Sequence, residues 1–278
     1  MKKILVVFNG AKFAYHVLEQ AIAIARQDNS LLVGIFLRPP TSSETIYPFI
    51  NDLALTGSSY YLQDASAEDA AIIKTNITIF RDTCGGTSVN HAVHLDKGTP
   101  VNELLKESVF ADLIVIDAMA DLYTNIPGLL TPSLRELLAD SHCPVLVVHE
   151  KAQPVEKAIL TYDGSPSSMH AIKMYSYLFP HLRKAPTRLV TVTESKEPAL
   201  PNAANATNWL KVHFTGLEID VLSGDTKSAL KNYLEDKQAN ALIVMGAYGR
   251  NAVSRLLRQS LANYILSHTT MPLFITHE

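Results

Sequence analysis

Short unbroken apolar runs alternate with stretches of helical period along the whole chain. Ile4-Leu5-Val6-Val7-Phe8 is continuous rather than alternating, the mark of a strand buried on both faces. Ala14, Val17, Leu18, Ala21, Ile22 and Ala25 then recur at the three/four spacing of one helix face. Leu31 to Leu37 predicts a second strand, followed by a helix around Ala67 to Arg81, a weaker strand over Val89 to Leu95 and a helix over Val101 to Phe110. Leu113 to Ile116 and Val145 to Val148 supply two more strands, on either side of the helical run Ser133 to Ala139. Such alternation means βαβ units and a parallel sheet, and these strands complete one doubly wound domain.

The same order of elements then begins again. Leu113-Ile114-Val115-Ile116-Asp117-Ala118 lines up with Leu242-Ile243-Val244-Met245-Gly246-Ala247. Pro144, an apolar run and His149-Glu150 line up with Pro272, an apolar run and His277-Glu278, and Phe8-Asn9-Gly10 with Tyr162-Asp163-Gly164. A duplication accounts for all three. It predicts two α/β domains, 1–150 and 151–278, each a doubly wound five-stranded parallel sheet, joined through the polar stretch Glu150 to Lys157. The first copy is longer because of an insertion between Arg38 and Asp64 that carries Tyr47, Phe49, Tyr60 and Tyr61. Long loops of this kind are decorations, lids or contact surfaces, so residues 39–64 are a candidate surface for a protein partner.

Composition narrows the function classes. The 278 residues carry 24 Lys+Arg against 27 Asp+Glu, a formal net charge of -3, so no global field draws the protein onto nucleic acid or an anionic membrane. No stretch approaches the roughly 20 apolar residues of a membrane helix, and the run Ile4 to Phe8 is too short for a secretory core. The expected address is cytoplasmic. Cys84 and Cys143 stand far apart, in no metal-ligand spacing, and read as reduced structural thiols. His91 and His94, in one strand, point to opposite faces and cannot share an ion. No metal site and no catalytic constellation are expected.

The chemistry concentrates after the fourth strand of the second copy. In Met245-Gly246-Ala247-Tyr248-Gly249-Arg250 two glycines follow a strand directly, and a helix is expected to begin near Ser260. Open parallel sheets bind ligands at the carboxyl ends of their strands. Glycine there serves either a tight turn or the approach of backbone to a phosphate, with helix-start N–H groups completing the anion site. The chain resembles the universal stress protein family, whose nucleotide-binding members carry Gly, two residues, Gly, nine residues, then Gly followed by Ser or Thr. Gly246 and Gly249 match, Arg250 to Arg258 fill the spacer, and Gln259-Ser260 stands where Gly-Ser would. The resemblance further implies an adenine-nucleotide alpha hydrolase-like fold in which the apolar last strands, Val145 to Val148 and Leu273 to Thr276, pair antiparallel and relate the two domains by a pseudo-twofold axis. It also implies an Asp at the end of the first strand, here Asp163 beside Gly164, and an adenine slot lined around Val192.

The function implied by the resemblance is that of a stress-responsive regulator. It would bind ATP, or AMP or ADP, in its second domain, with Mg2+ accompanying the phosphates and with slow or no hydrolysis. Gln259 either plugs the phosphate seat or donates its amide to it, and Arg250, Arg255 and Arg258 offer compensating charge. In the first copy Asn9 replaces Asp163, Asp117 replaces Gly246, Ala120 replaces Gly249 and Asp121 replaces Arg250. Side chains and carboxylates at those places predict a half that takes no nucleotide. The alternative is a nucleotide-independent interaction scaffold in which both sites have decayed.

Overall fold

The computed structural model describes residues 1–9, 12–37, 59–95, 100–122, 128–195, 197–236, 240–246 and 261–276. In the first half β1 (Lys3–Asn9), α1 (Tyr15–Arg26), β2 (Leu31–Leu37), α2 (Ser59–Gly86) and β3 (His91–Leu95) follow in order. α3 (Pro100–Ser108), β4 (Leu113–Asp117), α4 (Pro132–Asp140) and β5 (Val145–Val148) complete it. The second half runs β6 (Lys157–Thr161), α5 (Pro166–Leu178), β7 (Thr187–Thr193), α6 (Ala203–His213), β8 (Leu217–Ser223), α7 (Thr226–Asp236) and β9 (Ala241–Gly246). A helix over residues 261–268 (α8) and β10 (Leu273–Thr276) follow. The insertion is shorter than expected, because Ser59 to Asp64 already belong to α2; its remainder, 38–58, lies outside the described residues.

All ten strands form one sheet in the order β3-β2-β1-β4-β5-β10-β9-β6-β7-β8. Read from either edge to the middle, the order is the same, so each half is a doubly wound unit with its first strand next to its second and fourth. Pairing is parallel inside each half. At the middle β5 and β10 run antiparallel, with Leu273 opposite Val147, Phe274 opposite Leu146 and Ile275 opposite Val145. An antiparallel seam between like strands is what an approximate twofold axis requires.

The unbroken apolar runs are explained by burial on both faces. Ile4, Val6 and Phe8 of β1 join a layer with α1, α2, α5 and α6, while Leu5 and Val7 join the opposite layer with α3, α4, α7 and α8. Each layer crosses the seam: Leu146 and Phe274 lie in the first, Val147, Leu273 and Ile275 in the second. Among the described residues no helix is long and apolar enough to cross a membrane. Cys84 and Cys143 are buried free thiols, and burial pushes them up to about 11 and about 12, so they stay protonated.

Cutting the chain at the seam tests its importance. Residues 1–150 alone would leave β5, apolar on both faces, as an open edge, and should self-associate or unfold at lower urea than the intact chain. A fragment that stays monomeric by light scattering, with undiminished stability, would refute this.

Candidate functional site

The first strand of the second half ends at Thr161, and its turn into α5 is stitched by side chains. Asp163 Oδ1 accepts from the Ser165 backbone N–H at 3.0 Å and from Ser165 Oγ at 2.5 Å. Ser165 caps α5 by accepting from the Ser168 N–H at 3.2 Å, and Pro166 occupies the first turn, where its missing N–H costs nothing. A Ser cap of this kind contributes about 1 kcal/mol. Gly164 has φ +80, and a Cβ there would lie 2.5 Å from Pro201. It therefore serves the turn and its packing.

Gly246 ends β9 against the start of that helix. A Cβ at Gly246 would lie 2.6 Å from the carbonyl carbon and oxygen of Ser167 and 2.7 Å from the Ser168 nitrogen. Backbone meets backbone there, so the position demands glycine before any ligand is considered.

Beside this contact a cavity of about 480 Å³ opens at the carboxyl ends of β6, β7 and β9, where the helices that follow the neighbouring strands β6 and β9, α5 and α8, lie on opposite faces of the sheet. It brings together Asp163, Val192, Met245 and Gly246 of the expected residues. Gly164 lies outside that lining and faces a different hollow. Gly249, Arg250, Gln259 and Ser260 lie outside the described residues. Val190, Leu230 and Leu261 complete an apolar side, and Thr161, Tyr162 and Ser168 a polar one. Glu194 and the run Asp225-Thr226-Lys227 also line it and were not anticipated. A signal for the latter was present in Ser223-Gly224-Asp225, a glycine and a capping residue directly after a strand. Asp225 accepts from the Ser228 N–H at 3.0 Å and its hydroxyl at 2.8 Å, and these bonds hold its carboxyl below the ordinary value. Among the described residues no group of three or more His, Cys, Asp or Glu could hold a metal ion.

The corresponding place in the first half is built differently. By the alignment of Phe8 with Tyr162, α1 starts about one turn later than α5. Phe13, which stands where Ser167 does, stacks on Phe8 with centroids 4.7 Å apart. Asp117 fills the space so released. Its Oδ2 lies 3.4 Å from Nε2 of His16, and its Oδ1 accepts from the Met119 N–H at 2.9 Å. Burial pushes the Asp117 carboxyl up, but His16, the Met119 N–H and the charge of Lys12 outweigh it and hold the group below 3.8. Asp121 does not face an open cleft, as a simple repulsion argument required. It is buried, and its Oδ1 accepts from Ser133 Oγ at 2.9 Å in the first turn of α4. Thr131 caps the same helix through the Leu134 N–H at 3.3 Å and donates to the Ala120 carbonyl at 2.7 Å.

With the geometry of both halves established, the comparison with known sequences is decisive. The profile of the Universal stress protein family matches residues 1–149 and again 154–277. The chain belongs to the universal stress protein family. It is similar to the universal stress protein Slr1230 of Synechocystis sp. (strain ATCC 27184 / PCC 6803 / Kazusa), 27% identical over 165 residues that make up 58% of this chain. That match spans 56% of the relative, little more than half its length. Among solved structures, a universal stress protein from Archaeoglobus fulgidus DSM 4304 superposes with a TM-score of 0.67 at 15% identity, covering 100% of this chain and 96% of that one. The cytoplasmic domain of a prokaryotic cation chloride cotransporter superposes with a TM-score of 0.57 at 8% identity, covering 99% and 94%. At these identities the likeness is one of fold. As a universal stress protein the chain is stress-related and of α/β fold, with the family's unit present twice in tandem.

Two substitutions, with a third as control, test the contrast between the halves. Gly246→Ala should cost about 1–3 kcal/mol by urea unfolding, as overpacking does, whereas Gly85→Ala, with nothing within 4 Å, should be neutral or stabilising; equal effects would sink the packing argument. Because the folded Asp117 carboxyl is held below its ordinary value, its stabilisation is present above that value and is lost as pH falls through the lower folded one. Asp117→Asn should therefore unfold at lower urea than wild type at neutral pH, and the gap should close below about pH 4. A gap that persists unchanged in acid would remove Asp117 as the cause.

Proposed function

We propose that the second half binds an adenine nucleotide, ATP or its relatives AMP and ADP, and that occupancy of this site is what the protein reports in the cytoplasm under stress. The observation that carries the reading is the cavity of about 480 Å³ at the switch point of the sheet, with Asp163, Val192, Met245 and Gly246 on its wall. Its size lies within the ordinary range for small-ligand sites, about 300–1,000 Å³. Val190, Val192, Leu230 and Met245 suit the faces of a flat base. Asp163, held by the β6–α5 turn, offers a carboxylate to ribose hydroxyls.

At the other end Gly246, Gly249, Arg250 and Ser260 are assigned to the phosphates on the family motif, with Mg2+ accompanying them. The domain assignment is then residues 151–278 as the nucleotide-binding unit with a partial motif, and residues 1–150 as its degenerate partner. The internal carboxylates Asp117 and Asp121 support that asymmetry, since they stand where phosphate or its helix dipole partner would be needed. Slow or absent hydrolysis accords with carboxylates committed to turns and caps, Asp163 to Ser165 and Asp225 to Ser228.

Calorimetric titration of ATP and AMP into the intact chain is the test. Binding of one nucleotide per chain is expected, micromolar rather than nanomolar, about −8 kcal/mol or weaker, because Gln259 stands where the family motif has glycine. Gly249→Val should abolish the heat, since a β-branched side chain restricts the backbone and fills the phosphate seat. Gln259→Gly should tighten binding if the side chain plugs the seat and weaken it if the amide holds the phosphate. Two nucleotides per chain would refute the asymmetry. No heat from wild type or either variant, with folding confirmed, would replace this reading by a scaffold that works without nucleotide.

A further inference from the structure

On the far side of the β6–α5 turn, α5 and α6 flank a second hollow of about 460 Å³. Its floor and one wall are apolar: Pro166 and Met169 from α5, Ala206 and Trp209 from α6. Its polar side chains are Lys173 on α5, the carboxamides of Asn202 and Asn205 and the hydroxyls of Tyr162 and Ser165, and no carboxylate is among its described lining residues. The nucleotide cavity, lined by Asp163, Glu194 and Asp225, has the opposite character.

The walls are held in place before any ligand arrives. Asn202 adopts the left-handed conformation, φ 49 and ψ 38, and its Nδ2 donates to the Gly164 carbonyl at 3.4 Å. The Trp209 indole stacks on the His213 ring, with centroids 3.7 Å apart and planes 13° apart. His213 is fixed in turn through Nδ1, 2.9 Å from the Trp209 carbonyl. An aromatic wall ordered in advance loses little freedom on binding. Lys173 has no ion-pair partner among the described residues, and the Asn205 carboxamide no hydrogen bond.

We propose that this hollow binds a flat aromatic carboxylate. The indole and the apolar floor accept a ring, which gains from stacking as well as from burial. One ammonium and one carboxamide N–H match the two oxygens of a single carboxylate. A phosphate would call for more donors than the hollow leaves open: Pro166 has no N–H, the Ser168 N–H is spent on Ser165 Oγ, and the Ser165 hydroxyl is spent on Asp163 Oδ1. Lys173 repels a cationic ligand. The site is independent of the nucleotide reading, although Tyr162 borders both spaces.

The chain has 1 tryptophan, so a single indole N–H resonance reports on this hollow alone. Naphthoate titrated into the intact protein should move that resonance saturably, and naphthamide, its neutral counterpart, should bind more weakly by up to about fivefold, the worth of one exposed ion pair. Lys173→Met, an exposed change that leaves the helix intact, should erase the difference between the two probes. An indole signal that does not saturate with naphthoate overturns the proposal. So does equal affinity for naphthoate and naphthamide in wild type, or a preference that survives in Lys173→Met.

Discussion

The antiparallel pairing of β5 with β10 is the constraint on which the rest of the molecule rests. Both strands are four residues long and buried at every position, so neither can stand as an edge in water. Joining them satisfies both backbones and lets the apolar layers run from one half into the other. It also sets direction. The row Ile116, Val147, Leu273, Ile243 crosses the seam. From it the carboxyl ends of the strands leave in opposite senses, toward Asp117 on one side and Gly246 on the other. The two ligand-type positions of the duplicated fold thus open at opposite ends of the strands, separated by backbone ladders rather than facing across a shared cleft.

Within each half, the place where the first helix begins decides what the carboxyl end of the fourth strand can hold. In the second half Ser165 caps α5 early, the first turn closes on Gly246, and a cavity remains between strand ends and α7. In the first half Phe13 folds back on Phe8, the helix starts later, and the side chain of Asp117 lies in the vacated volume beside His16. Asp121 completes the difference by placing a buried carboxylate on the Ser133 hydroxyl, at the start of α4.

Much of this was legible in the sequence because it is carried by periodicity and by repetition. The strands of the first half lie within a residue or two of their apolar runs, and the matched Pro and His-Glu flanks announced the duplication and its terminal strands. Asp163, Val192, Met245 and Gly246 could be placed on one wall because strand ends converge in any parallel sheet. Gly164 lines a different hollow, and the neighbour that its lack of a Cβ accommodates, Pro201, is distant in sequence and met only in the fold. Glu194 and Asp225-Thr226-Lys227 were missed for a related reason: they reach the cavity from loops whose course depends on β7 and β8. Asp121 was read as a free charge, and its partner Ser133 was invisible until α4 packed beneath it.

The exchange of a glycine for Asp117 also bears on how such a chain can change. Once the helix start has moved by a turn and Phe13 has been buried, the old backbone contact no longer exists to be recovered by one substitution. Restoring glycine at 117 would leave His16 and the Met119 N–H without their carboxylate partner, while restoring the earlier helix start first would drive it into the aspartate. Each step is unfavourable without the other. The duplicated halves are held apart by a steric ratchet, which lets one copy drift in sequence while its opposite number stays under the constraint of Gly246.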